Sequence, residues 1–124
     1  MRFIKRLLEP SYLREANFDS LVSKDNSYRF DCSVCTAIVT FRFPEIIGKE
    51  YSWRSEYPDK EVEQVESYFP MNLVGKSPDG GWPAILEASC DNCGAEFMVY
   101  AGVSEIYNSV HRVTVQSIAE ISHD

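Results

Sequence analysis

Cys32-Ser33-Val34-Cys35 and Cys90-Asp91-Asn92-Cys93-Gly94 hold all four cysteines of this 124-residue chain, and their reading decides the fold. A two-residue spacer lets both sulfurs of a pair turn toward one point. Two such turns brought together set four thiolates around a tetrahedral cation, a donor set that points to a structural Zn²⁺ on Cys32, Cys35, Cys90 and Cys93. The gap between the pairs, residues 36 to 89, is longer than the roughly twelve to twenty residues of compact sites. Two other readings compete, a pair of short-range disulfides and a redox dithiol. A redox CxxC opens a helix whose dipole lowers a thiol pKa, whereas strand-forming residues follow both pairs here. A closed all-thiolate shell leaves no position for water, so the expected ion is structural and not catalytic.

The flanks of both motifs read as strands. Tyr28-Arg29-Phe30 leads into the first pair, and Thr36 to Phe43 leads out, with Ala37, Val39, Phe41 and Phe43 on one face and Pro44 as the stop. Ala84 to Ser89 approaches the second pair and Ala95 to Val103 leaves it. Gly94 supplies the positive φ that a tight metal turn needs. Thr36 stands at the matching place in the first turn, which predicts a different closure there. Tyr107-Asn108-Ser109 reads as a connection and Val110 to Ile118 as a further strand, with Glu120 to Asp124 expected to fray.

Residues 1–27 read as a helical lead-in, with Phe3, Leu7 and Leu8 on one face of a short helix ended by Pro10. Leu13, Phe18, Leu21 and Val22 either continue a second helical piece or cover the sheet. Residues 45–83 form an aromatic and acidic insert between the two cysteine turns. Its expected helix runs from Asp59 to Phe69, with Val62, Val65 and Tyr68 or Phe69 on one stripe. Pro70, Pro78-Asp79-Gly80-Gly81 and Pro83 mark turns and a long loop. The insert aromatics either pack a small subcore or stand exposed as partner anchors, chiefly Trp53 and Trp82. The expectation is one domain over 1–124, α+β and mainly antiparallel β, with one or two short helices and the cysteine turns side by side at one end of the sheet.

The two turns and their flanking strands resemble the zinc-ribbon class. The resemblance implies Cys32, Cys35, Cys90 and Cys93 as ligands and no particular function, since ribbons serve transcription factors, ribosomal proteins, enzyme appendages and adaptors alike. The chain departs from nucleic-acid-binding ribbons in having no basic residues around its second turn. In size and acidity it also resembles immunity proteins that neutralise toxins.

Charge narrows the function classes. The net charge is −7. Arg2, Lys5, Arg6 and Arg14 against Glu9 give residues 1–14 a balance of +3, which leaves −10 for the rest. After Lys76, Arg112 faces Asp79, Glu87, Asp91, Glu96, Glu105, Glu120 and Asp124. Such a surface repels phosphate backbones and attracts a basic partner, or else it serves solubility alone. No apolar run is long enough to span a bilayer and no signal peptide is evident, so the cytoplasm, where thiols stay reduced, is the expected compartment. Only His111 and His123 offer imidazoles, and no phosphate loop or nucleophile elbow appears, so no enzyme is expected.

The expectation is therefore a non-catalytic acidic protein-binding module stabilised by structural zinc, of the immunity or inhibitor type, with a basic partner such as a nuclease toxin. Its candidate partner contacts are Trp53, Tyr57, Trp82, Asp79, Glu61 and Glu63. The alternative is a nucleic-acid-associated zinc ribbon, a transcription or translation accessory, using Arg2, Lys5, Arg6 and Arg14.

Overall fold

A computed structural model describes residues 1–9, 15–69, 71 and 81–124. The longest strands are β6 (Glu96–Tyr107) and β7 (Val110–Ser122), joined through a tight turn at Asn108 and Ser109. On the far side of β6 lies β5 (Trp82–Ser89), and on the far side of β7 lie β1 (Arg2–Leu8) and the short β2 (Phe18–Asp19). Every pairing in this β1-β7-β6-β5 sheet is antiparallel. The strands that flank the first cysteine pair, β3 (Ser27–Asp31) and β4 (Ile38–Arg42), form a separate two-stranded ribbon. The helical pieces are α1 (Phe43–Ile46), α2 (Lys49–Ser52), a 3-10 turn at Trp53–Ser55 and α3 (Asp59–Tyr68). The fold is α+β and mainly antiparallel β, as expected.

Alternation along β6 decides the layers. Phe97, Val99, Ala101 and Val103 face one way and Met98 and Tyr100 the other. The ribbon covers the first face, where Val39, Phe41 and Phe43 join the β6 side chains and Phe30 meets Phe97 edge-on at 5.2 Å. The second face is covered by Val62, Val65 and Phe69 of the α3 segment and by Trp53, packed on Ile85, Met98, Tyr100, Ala119 and Ile121. Covered on both sides, β6 is buried without interruption from Phe97 to Val103. The helix has the expected apolar stripe, and Asp59 and Glu61 in its first turn complement the helix dipole.

Three expectations are corrected. The lead-in is a strand, not a helix: β1 pairs with the end of β7, and β2 follows. Two register shifts in β1, between Phe3 and Lys5 and between Arg6 and Leu8, turn Leu7 and Leu8 both toward the ribbon side while Phe3 packs on the helix side. A bulged strand thus imitates the apolar spacing of a helix. The chain end does not fray, because β1 pairs Arg2 with Ser122 and Phe3 with Ile121, which is only 2 % exposed. Trp53 is no exposed anchor. It is fully buried with its indole N–H unpartnered, a cost of about 1–3 kcal/mol set against the burial of the largest fully buried side chain among the described residues.

Gly81, at the entry to β5, tolerates no side chain. A Cβ there would lie 2.9 Å from the Val103 nitrogen and 3.0 Å from the Gly102 carbonyl carbon. Arg14, Leu13, Pro70, Lys76 and the Pro78-Asp79-Gly80 turn lie outside the described residues. Among the described residues no helix is long and apolar enough to cross a membrane.

Candidate metal centre

The ribbon delivers one cysteine pair and the β5–β6 hairpin the other. Their turns are built alike. In the first, the Cys32 N–H donates to the Ala37 carbonyl at 2.8 Å and the Thr36 N–H to the Cys32 carbonyl at 3.0 Å. In the second, the Cys90 N–H donates to Ala95 and the Gly94 N–H to Cys90, both at 2.8 Å. The expected difference in closure is corrected: Thr36 takes φ +66° where Gly94 takes +80°. A β-branched residue there bears roughly 1–2 kcal/mol of strain, because its Cβ crowds the backbone. The Thr36 hydroxyl donates back to the Cys35 carbonyl at 2.5 Å.

The four sulfurs meet between the turns. Cys32 and Cys93 lie 3.6 Å apart, as do Cys35 and Cys90, and all four sulfurs fall within 4.8 Å of one another. A tetrahedral ion with bonds of about 2.3 Å would set its sulfurs roughly 3.8 Å apart, so the cage fits one ion. A disulfide needs about 2.05 Å, and all four cysteines are free. Strands leave both turns, not helices, so the redox arrangement is absent as well. Cys32 and Cys90 are buried, Cys35 is partly covered and Cys93 is exposed.

Backbone N–H groups point at the sulfurs, as a cluster of negative charge requires. Val34 donates to Cys32 Sγ at 3.4 Å. The Cys35 thiol is lowered to about 6, first by the Asn92 side chain reaching across from the second turn and then by the Ala37 N–H. At Cys93 the Ala95 N–H lowers the pKa, but lost hydration and hydrogen bonds with the other three thiols outweigh it and push the group up to about 12. The thiolate is thus favoured at Cys35 and disfavoured at Cys93, as neighbouring sulfurs that share one site require. The ribbon is also tied to the sheet beside the cage, where Ser33 Oγ donates to Glu120 of β7 at 2.6 Å.

Of the six residues expected at a partner surface, the five described ones do not share one exposed face. Trp53 is in the core and Asp79 is outside the described residues. Trp82 is 48 % exposed, and alternation from Ala84 and Leu86 turns it to the ribbon side. Glu63 is exposed on α3, across the sheet, while Glu61 is partly buried beside the Met1 ammonium at 3.4 Å. Tyr57 is half-buried and donates to Glu87 Oε2; burial, then that carboxylate, raises its pKa.

Glu87 and His123 were not among the sequence candidates. Glu87 Oε1 meets His123 Nε2 at 2.6 Å, and Glu96 Oε2 lies 3.7 Å from the same nitrogen. The signal available was the alternation that puts Ile85 and Glu87 on one face; the extension of β7 past Ile118, which brings His123 near, had none. Compared with protein-family models, curated proteins and solved structures, the chain finds no match in any of the three.

Proposed function

We propose that this chain is a non-catalytic protein-binding module stapled by a structural Zn²⁺ on Cys32, Cys35, Cys90 and Cys93, and that it takes a basic protein partner on an acidic face, in the manner of an immunity-type inhibitor of a basic nuclease. Zinc is the ion that best suits four thiolates in a closed tetrahedral cage. The observation that carries the partner reading is α3, whose acids Asp59, Glu61, Glu63 and Glu66 outnumber Lys60. Asp59, Glu63 and Glu66 are exposed while Val62 and Val65 face the core. Opposite charge steers such a partner and is screened by salt.

The nucleic-acid alternative loses support from the uses made of the basic strand. Arg2 pairs with Asp124, and Arg6 donates to the Tyr68 carbonyl, pairs with Glu9 and covers the Tyr68 ring at 4.4 Å. Among the described residues of this set Arg2 and Lys5 are exposed, and Lys5 has no ion pair; Arg14 lies outside them.

Two measurements test the reading. Metal analysis of the isolated protein is expected to give one zinc per chain, lost in Cys35→Ser; another metal or none contradicts it. Capture on the immobilised chain is expected to recover basic proteins that are lost with Glu63→Gln/Glu66→Gln and with added salt. Capture of acidic proteins, or capture indifferent to both changes, rejects the partner.

A further inference from the structure

Besides the sulfur cage, one other group of ligand-bearing side chains converges among the described residues, and it does so on the opposite chemistry. Glu87, Glu96 and His123 bring two carboxylate oxygens and an imidazole nitrogen within 4.8 Å of one another. They come from three adjacent strands or their ends. Glu96 of β6 stands opposite Ser89 of β5 and Ile121 of β7. Glu87 and His123 are therefore its diagonal neighbours, each two residues along on the same face.

Charge and orientation distinguish this group from an ordinary surface ion pair. Among the described residues neither Glu87 nor Glu96 pairs with a Lys or Arg; both turn to the one imidazole. Even a protonated His123 leaves one carboxylate charge unbalanced, and Glu61 adds to the field at His123. A divalent cation with neutral imidazole balances both carboxylates. The carboxylate of Glu87 is also held from outside the trio. Tyr57, from the segment before α3, donates to Oε2 and leaves Oε1 aimed at His123 and Glu96. A ligating carboxylate is held in this way by a hydrogen bond to its second oxygen.

We propose that Glu87, Glu96 and His123 form a second, open divalent-cation site on the helix-covered face of the sheet, taking a borderline-to-hard ion of the Mn²⁺ or Zn²⁺ class with water completing its shell. Ligand atoms on such an ion stand roughly 3.0–3.4 Å apart for bonds of about 2.1 Å. The 2.6 Å Glu87–His123 contact must therefore open by a few tenths of an ångström and the 3.7 Å Glu96–His123 contact close by as much. His123 lies beyond the last strand and is 39 % exposed, so its ring can move without disturbing the core. The donor set differs from the cage as hard ligands differ from soft ones, so Mn²⁺ prefers this site to the thiolates, whereas Zn²⁺ suits both. The open positions make this the exchangeable site of the pair. The proposal does not depend on the protein-binding reading.

Mn²⁺ is the discriminating probe, because thiolates bind it poorly. Titrating the purified full chain with Mn²⁺, and following the loss of the free-ion electron paramagnetic resonance signal, is expected to show one saturable site per chain. Glu96→Gln and His123→Ala should each weaken it more than tenfold, and Tyr57→Phe, which only releases Glu87, by about tenfold. Melting temperatures of the variants report whether the fold is kept, and His123→Ala changes no buried contact. No saturable Mn²⁺ binding by the wild type, or equal binding by Glu96→Gln and His123→Ala, leaves an ion pair only and overturns the site.

Discussion

The second cysteine turn closes a hairpin in the main sheet, with eight residue pairs between β5 and β6 and further pairing from β6 to β7. The first closes a ribbon of only five pairs that lies across that sheet as a separate layer. Their hydrogen bonds match rung for rung. The difference is in what holds each turn when nothing is bound. A sheet buried on both faces fixes the second, whereas an isolated two-stranded hairpin is marginal in water. The first turn leans on Val39, Phe41 and Phe30 against the sheet, on the Ser33–Glu120 hydrogen bond and on any ion shared through Cys32 and Cys35.

The largest expected effect follows from removing that shared tie. An ion bound across segments more than fifty residues apart contributes on the order of 10 kcal/mol of gross binding free energy, comparable with the whole stability of a domain this size. Chelation or Cys35→Ser should lower the melting temperature steeply, with amide protection lost first in β3 and β4 and last in β6 and β7. An unchanged melting temperature after complete metal removal would contradict the tie. Simultaneous loss of protection in all strands would contradict the inequality of the two turns.

Next in size is the backbone test. Gly94 has φ +80° and open space where a Cβ would go, so a side chain there meets strain and no clash. Gly94→Ala should cost about 1 kcal/mol, and Gly94→Thr more. Thr36→Gly removes strain at the matching position but adds chain entropy and loses the hydroxyl contact to Cys35, so a smaller gain of roughly 0.5 kcal/mol is expected. Denaturation midpoints of the metal-loaded variants measure both. Two changes of the same sign would show that the turns are not equivalent after all.

These turns also mark what was legible in the chain. The spacing of Cys32, Cys35, Cys90 and Cys93 announced a shared cage because coordination chemistry acts locally and leaves few solutions. The β-branched runs around each pair announced their strands for the same reason, through side chains that suit a pleated surface. What failed depended on partners distant in sequence. Leu7 and Leu8 face the ribbon only because β1 bulges against β7, and no window of the sequence around them contains β7. His123 looked like a loose end because the strand that holds its neighbours, β1, is more than a hundred residues away. Trp53 looked like an anchor because polar neighbours surround it in sequence, while its apolar neighbours in space come from β5, β6 and α3. Thr36 misled differently: its residue type disfavours the conformation that the metal turn imposes.

The ribbon's own tether gives a smaller effect. Ser33→Ala removes the hydrogen bond to Glu120, which should cost about 1 kcal/mol. If the first turn is the weaker one, the same change should speed metal loss to a chelator more than Asp91→Ala, a substitution at the matching position of the second turn. Equal rates would remove the distinction between the two turns.

The smallest expected effect lies at the sheet end away from the cysteines, and it separates the sheet's own stability from the ion's. Asp19 of β2 accepts from Arg112 Nε at 2.6 Å and from the Leu21 N–H at 2.9 Å, and these contacts hold its carboxyl below the usual value of 3.8. A depressed folded-state pKa means the ionised form is the one the fold favours. Its stabilisation is complete above the unfolded pKa and disappears as pH falls through the lower, folded one. Acid also protonates thiolates and releases a bound ion, so wild-type melting alone mixes the two effects. The difference between wild type and Asp19→Asn cancels the ion's share, since both keep the same cage. That difference should hold steady from pH 6 to about 4 and shrink toward zero below it, with wild type the more stable at the upper end. A difference that tracks metal release instead would couple β2 to the cage, and the sheet could no longer be treated as the part that stands by itself.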